Sequence, residues 1–220
     1  MTHLAFLHTA AQHVATFETL VAQGSPGLIV RHHVAPDLLR LAEATGDSPA
    51  LHEALRRSLG GIGAAGARHI VCTCSTLGRT AEEIGEAIGL SVVRIDRAMA
   101  EAAVAISDNL LVVACLAATV APTETLLRSV SPHRPLNLRS LVLAEAWGRF
   151  RAGDQEGYRD ALAAGVRAAY AGEGAVVLAQ ASMAAAAPLL ADLGVPVLSS
   201  PARGVAAALA AVGAPSSACA

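Results

Sequence analysis

The chain has 220 residues, 54% hydrophobic and 15% charged, enough apolar material for a sizeable buried core and too much for a disordered chain. A formal net charge of −2 offers no basic excess to draw nucleic acid or an anionic membrane. All 16 basic residues are arginine, which excludes pyridoxal-phosphate enzymes, P-loop nucleotide binding and lysine-dependent aldolases, since each needs a lysine amine.

Apolar runs alternate with helical patterns along the chain, the mark of a parallel α/β sheet. The first strand is expected at Leu4–His8 and the second at Gly27–His32. A helix over Glu53–Leu59 leads to a third strand at His69–Cys74, then a helix over Thr80–Ile88, a strand at Ser91–Ile95 and a helix over Ala98–Ile106. Further strands are expected at Leu110–Cys115, Pro135–Arg139, Ala175–Ala179 and Val195–Leu198, with helices over Asp154–Ala171, Met183–Leu193 and Gly204–Ala211. The most apolar stretch, Leu110 to Ala121, is about a dozen residues against the roughly 20 that span a bilayer, so no membrane segment is expected. His3, His8 and Thr9 interrupt the apolar start and no basic segment precedes it, so a secretory signal is not expected either. Three of the four cysteines, Cys72, Cys74 and Cys115, sit in strand-like runs and Cys219 in the tail, which fits free thiols in the cytoplasm.

Sliding the chain against itself by 106 residues lays Val14–Leu20 on Val120–Leu126 with five of seven positions identical. The same offset lays Leu4–His8 on Leu110–Ala114 and Ile70–Cys74 on Val176–Gln180; after one deleted residue, Gly89–Val93 lies on Gly194–Leu198. A single offset that aligns strands, helices and turns together indicates an internal duplication. The expected fold is α/β: two pseudo-symmetric lobes, residues 1–96 plus 200–220 and residues 97–199, each a four-stranded, mainly parallel sheet flanked by helices. Ligands of open parallel sheets bind beyond the carboxyl ends of the strands. The equivalent ends are His8-Thr9 with Ala114-Cys115, His32-His33 with Leu138-Arg139, Cys74-Ser75-Thr76 with Gln180-Ala181-Ser182, and Arg94 with Ser199-Ser200.

Cys74 ends an apolar strand just before a helix, where the dipole and free backbone N–H groups favour thiolate. Such a thiol can exchange a proton with carbon or attack an electrophile, although buried cysteine is also ordinary core material. Cys72 and Cys74 share a strand face, but no second pair or spaced histidines complete a tetrahedral set, so no metal site is expected. Gly61-Ile62-Gly63-Ala64-Ala65-Gly66 has the letters of a dinucleotide fingerprint but follows a helix and precedes a strand, the reverse of what that motif needs. His8, His13, His32 and His33 lie nearest the first lobe's strand ends, and alternation sends His32 and His33 to opposite faces. Asp96 is placed to cap a helix, and Arg94 and Arg139 either fork onto a substrate carboxylate or form salt bridges.

These residues resemble the aspartate/glutamate/hydantoin racemase superfamily, whose two α/β lobes are related by a pseudo-twofold axis and carry one cysteine each at equivalent strand ends. Its first-lobe segment is an apolar strand and then Cys-Asn-Thr; here Cys74 and Thr76 match and Ser75 replaces asparagine. Its second-lobe Leu-Gly-Cys-Thr reads Leu178-Ala179-Gln180-Ala181, with Gln180 in the place of the cysteine. Val112–Thr119 resembles the second lobe's opening strand, with Cys115 where threonine is usual. The resemblance implies a cofactor-independent isomerase or racemase acting at a carbon next to a carboxylate or carbonyl, with Cys74 as acid/base or nucleophile. Glutamine neither gives nor takes that proton, so a second base would have to come from Ser182, His8 or His33. One-thiol relatives are the arylmalonate decarboxylase-like lyases, and maleate isomerase-like members use the first-lobe cysteine as a nucleophile. The expected substrate-binding set is His8, Thr9, His33, Ser75, Thr76, Cys115, Thr119, Gln180, Ala181 and Ser182 around a small carboxylate-bearing substrate, with no cofactor and no metal. Alanine-rich helix faces are compatible with a homodimer. A binding protein that kept the cleft and lost catalysis is the rival reading.

Overall fold

The computed structural model describes residues 4–213, so Cys219 lies outside the described residues. Four parallel strands form a first sheet in the order β2-β1-β3-β4: β1 Leu4–His8, β2 Arg31–Val34, β3 His69–Cys72 and β4 Ser91–Arg94. A second sheet repeats the order as β6-β5-β7-β8, from β5 Asn109–Ala114, β6 Asn137–Val142, β7 Ala175–Leu178 and β8 Val197–Ser199. The inner strands are buried along almost their whole length because helices cover both faces of each sheet, which is why they read as unbroken apolar runs.

Alternation along each inner strand divides its side chains between two helical layers. In the first sheet Ala5, Leu7 and Ile70 face α2 (Pro36–Thr45), α3 (Pro49–Ala64) and α4 (Gly78–Ala87) through Leu38, Leu55 and Ile84. Leu4, Phe6 and Val71 face Phe17 of α1 (His13–Gly24) and Val205 of α9 (Ser200–Gly213). In the second sheet Leu110, Val112 and Val177 meet α5 (Arg97–Ile106) and α6 (Ala117–Ser129). Leu111, Val113 and Val176 meet α7 (Ala144–Arg151), α8 (Gln155–Ala169) and a 3-10 segment, Ala181–Leu193. The last helix thus crosses back onto the first sheet, and it does so closely: a Cβ on Gly204 would lie 2.2 Å from the Ile95 carbonyl oxygen.

Local chemistry sets several ends. Ser48 caps α3 by accepting from Leu51 N–H with Pro49 in the first turn, and Asp154 caps α8 by accepting from Gly157 N–H. Where a helix is expected over Met183–Leu193 the chain winds as a 3-10 segment, and Pro188 removes a donor from the α-helical ladder inside it. The second strand starts at Arg31 rather than Gly27, because Gly27 turns the chain with φ +86° and Leu28 and Val30 pack on the α1–α9 layer instead of pairing. No described helix is long and apolar enough to cross a membrane.

Candidate active site

The two sheets bring their strand ends together around one small cavity of about 30 Å³, lined from the first lobe by Thr9, His13, Thr73, Cys74, Ser75 and Thr76. Thr119, Trp147, Gln180, Ala181 and Ser182 close it from the second lobe. Two hydrogen bonds tie the lobes across it. Ser75 Oγ donates to the Ala179 carbonyl at 2.7 Å, and the Thr76 and Thr119 hydroxyls meet at 3.0 Å.

Strand register gives the equivalences directly. Leu7 pairs with Cys72 and Val113 with Leu178, and one residue on, Thr73 N–H and Ala179 N–H bond to the Leu7 and Val113 carbonyls. Cys74 and Gln180 therefore occupy matching positions past β3 and β7. Cys74 is partly buried against the α2–α4 core. Burial pushes its thiol above the ordinary range, opposed by hydrogen bonds from the Thr9 hydroxyl, the Leu77 and Thr76 N–H groups and the Thr76 hydroxyl. This corrects the expectation of a thiolate: α4 begins only at Gly78, and desolvation outweighs its terminus. Across the cavity, Gln180 Oε1 accepts from Cys115 N–H at 2.5 Å, which leaves its NH2 as the donor to a ligand.

Three expected site residues lie elsewhere. His33 is exposed on the edge strand β2, because the register sets it beside Leu7 and not at the strand end. Its second-sheet counterpart is Leu141, which pairs with Val113; Arg139 instead matches Arg31 two residues earlier in the strand. Cys115 is 1% exposed within the second lobe's core, its Sγ 3.6 Å from Tyr158 Oη, and burial raises it to about 11. Only its backbone serves the site, through Gln180. His8 is fully buried beneath Thr73. Because the Thr73 hydroxyl donates to the Leu7 carbonyl, His8 Nδ1–H must donate to Thr73 Oγ1, and His8 Nε2 then accepts from His32 Nδ1–H at 2.8 Å. Burial and the neighbouring His32 and His13 lower His8 to about 3, so it is a neutral structural imidazole.

The arginines take the salt-bridge reading. Arg94 forms a buried pair with Asp96, Nε to Oδ1 at 2.6 Å, and its Nη2 reaches the Ser75 and Pro122 carbonyls at 3.4 and 3.5 Å. Asp96 is thereby occupied and makes no capping bond to α5. Arg139 pairs with Glu173. Among the described residues no three His, Cys, Asp or Glu side chains are grouped to hold a metal. His13, Thr73 and Trp147 join the cavity without having been placed in the expected set. His13 carried a signal, as a histidine just after the first strand, but nothing in the sequence ranked it above its three neighbours.

The sequence model of the Asp/Glu/hydantoin racemase family matches residues 7–208, and the chain belongs to that family. No curated protein sequence matches it. Among solved structures, an Asp/Glu racemase candidate from Yersinia pestis superposes with a TM-score of 0.72 at 19% identity, covering 96% of this chain and 99% of the other. Aspartate racemase of Picrophilus torridus gives 0.69 at 15% identity over 96% and 93%. A liganded double mutant of arylmalonate decarboxylase, one glycine changed to cysteine and one cysteine to serine, gives 0.59 at 18% over 97% and 93%. These likenesses carry the fold.

Proposed function

We propose that this family member is a cofactor-independent enzyme that moves a proton at a carbon next to a carboxylate or equivalent carbonyl, with Cys74 as the thiol that carries it. The observation that carries this reading is the position of Cys74. Its thiol lines the cavity between the lobes, held by Thr9, Thr76 and Leu77, with Gln180 lining the same cavity from the other lobe. The reacting carbon sits at the Cys74 sulfur. Its carboxylate takes the hydroxyls of Thr76 and Thr119, the N–H groups past Cys74 and the Gln180 amide, donors that strengthen as charge builds on the enediolate oxygens. Burial keeps Cys74 protonated at rest, so its first act is to give a proton to carbon.

The family default is an isomerase, which needs a proton taken from one face and another given to the opposite face. Gln180 favours a second reading. With no proton to exchange at the position that matches Cys74, a lyase that releases carbon dioxide and protonates the enediolate from the Cys74 side needs nothing more.

Solvent deuterium uptake tests both. The protein is incubated in D2O with a panel of amino acids, hydantoins and substituted malonates, with Cys74→Ser beside it. The expected result is uptake at the α-carbon that falls at least about 100-fold in the variant. Racemic product supports the isomerase, and a single enantiomer with loss of carbon dioxide supports the lyase. Uptake equal in the two proteins, or none from the wild type across the panel, overturns the proposal.

A further inference from the structure

We propose that His13 is the second proton carrier of the site, working from the wall opposite Cys74. This rests on the reading of the cavity as a carbon-acid site and supplies the group that reading lacks. Of the side chains lining the cavity, only Cys74 and His13 gain or lose a proton in the ordinary aqueous range; the others are hydroxyls, one carboxamide, the Trp147 indole and alkyl groups. Ser182 is engaged with Tyr158 Oη at 2.9 Å, and Tyr158 is itself buried.

The placement of His13 suits the role. It is the first residue of α1, yet its ring stacks on Phe150 of α7, centroids 6.0 Å apart, and meets Phe17 edge-on at 6.2 Å. Phe150 packs in turn on Tyr158 at 5.2 Å, whose hydroxyl holds Ser182. His13 therefore sits between the lobes, on the α1–α9 side of the first sheet beside His8 and Phe17 and against Phe150 of the second lobe, while Cys74 packs on the other side of that sheet with the α2–α4 layer. His8 spends both ring nitrogens on Thr73 and His32, whereas no hydrogen bond from a described residue engages either nitrogen of His13. Burial lowers His13 to about 4, so at neutral pH it is a free base in the same cavity as a protonated thiol.

The step balances with those two groups. The Cα–H bond breaks, its proton goes to a His13 ring nitrogen, and the electron pair spreads into the carboxylate as an enediolate. The enediolate carbon then takes the Cys74 S–H proton from the opposite face, leaving thiolate and imidazolium. That charged form acts on the other enantiomer and returns to thiol and imidazole, so nothing else is consumed.

The test uses both enantiomers of each panel compound with wild type, His13→Gln and Cys74→Ser in D2O. Racemisation is expected to fall at least about 100-fold in both variants. Residual exchange with retention should persist for opposite enantiomers in the two, because each variant keeps one carrier. Exogenous imidazole should restore racemisation to His13→Gly. A His13→Gln variant that slows both enantiomers alike without rescue of His13→Gly shows a structural role and overturns the inference. So does wild-type turnover that His13→Gln leaves unchanged, in which case the Cys74 reading survives alone. No exchange by the wild type overturns both.

Discussion

Acidification from pH 7.5 to 5 should weaken the fold through His8. His8 is fully buried, stacked with Phe6 and His32 and tilted against Phe17, and lowered to about 3 by burial and by the neighbouring His32 and His13. A histidine whose folded pKa lies below its unfolded value near 6.5 stabilises the fold in its neutral form. That contribution is complete above pH 6.5 and is lost as the pH falls from there toward 3. At pH 5 the loss from His8 is about 2 kcal/mol, and below pH 3 it reaches the order of 5 kcal/mol. His13 adds in the same direction, discounted for its partial exposure, and Glu18 works against the lowering of His32. Urea denaturation at pH 7.5, 6.5 and 5 reads it directly, since ~2 kcal/mol moves the midpoint by the order of 1 M. His8→Asn keeps a donor toward Thr73 but cannot titrate. It should start less stable at pH 7.5 and lose about 2 kcal/mol less than wild type on the way to pH 5. Equal slopes in the two proteins would refute the reasoning.

Arg94→Met leaves the carboxylate of Asp96, itself 0% exposed, without its partner, and is expected to cost about 3–5 kcal/mol in urea unfolding. Adding Asp96→Leu should recover most of that, and a single variant within about 1 kcal/mol of wild type would contradict the burial argument. Gly204→Ala drives a methyl onto the Ile95 carbonyl and should cost about 1–3 kcal/mol, while Gly60→Ala, with open space around it in α3, should gain about 0.5–1 kcal/mol. Peptide mapping after iodoacetamide should find Cys74 as the one alkylated thiol among Cys72, Cys74 and Cys115 in the folded protein, at a rate that climbs as the pH rises toward 9. Cys72 and Cys115 are core thiols that burial pushes up, and labelling of either at the rate of Cys74 would count against this packing.

The inner strands were legible because burial on both faces leaves no choice but continuous apolar sequence; Leu4–His8 is found with the expected bounds. Of the edge strands, β4 and β8 lie within one or two residues of the expected Ser91–Ile95 and Val195–Leu198, but β2 and β6 begin four and two residues later than expected. β2 reads Arg-His-His-Val and half of β6 is polar, and the apolar Leu28, Val30 and Leu136 just before them pack on helices instead. The duplication suffers in the same place. The offset of 106 holds from β1 to β5 and from β3 to β7, so it correctly aligned Cys74 with Gln180, but between β2 and β6 the register gives 108. Two residues of slip gave His33 the counterpart Arg139 in place of Leu141. It also left unseen that His32, one residue before, is the one held by His8.

The charge on Cys74 shows where sequence reasoning about a thiol needs the fold. A helix terminus contributes about 0.3–1 kcal/mol and fades within a turn, less than one pKa unit, whereas full burial shifts a group by up to about 3–5 units. Here the helix starts four residues beyond the sulfur and the cavity admits only about 30 Å³, room for roughly two waters. Burial of the thiol therefore outweighs the helix terminus even with the Thr9, Thr76 and Leu77 donors opposing it, which is why the direction of the shift could be read only once the chain is folded around Cys74.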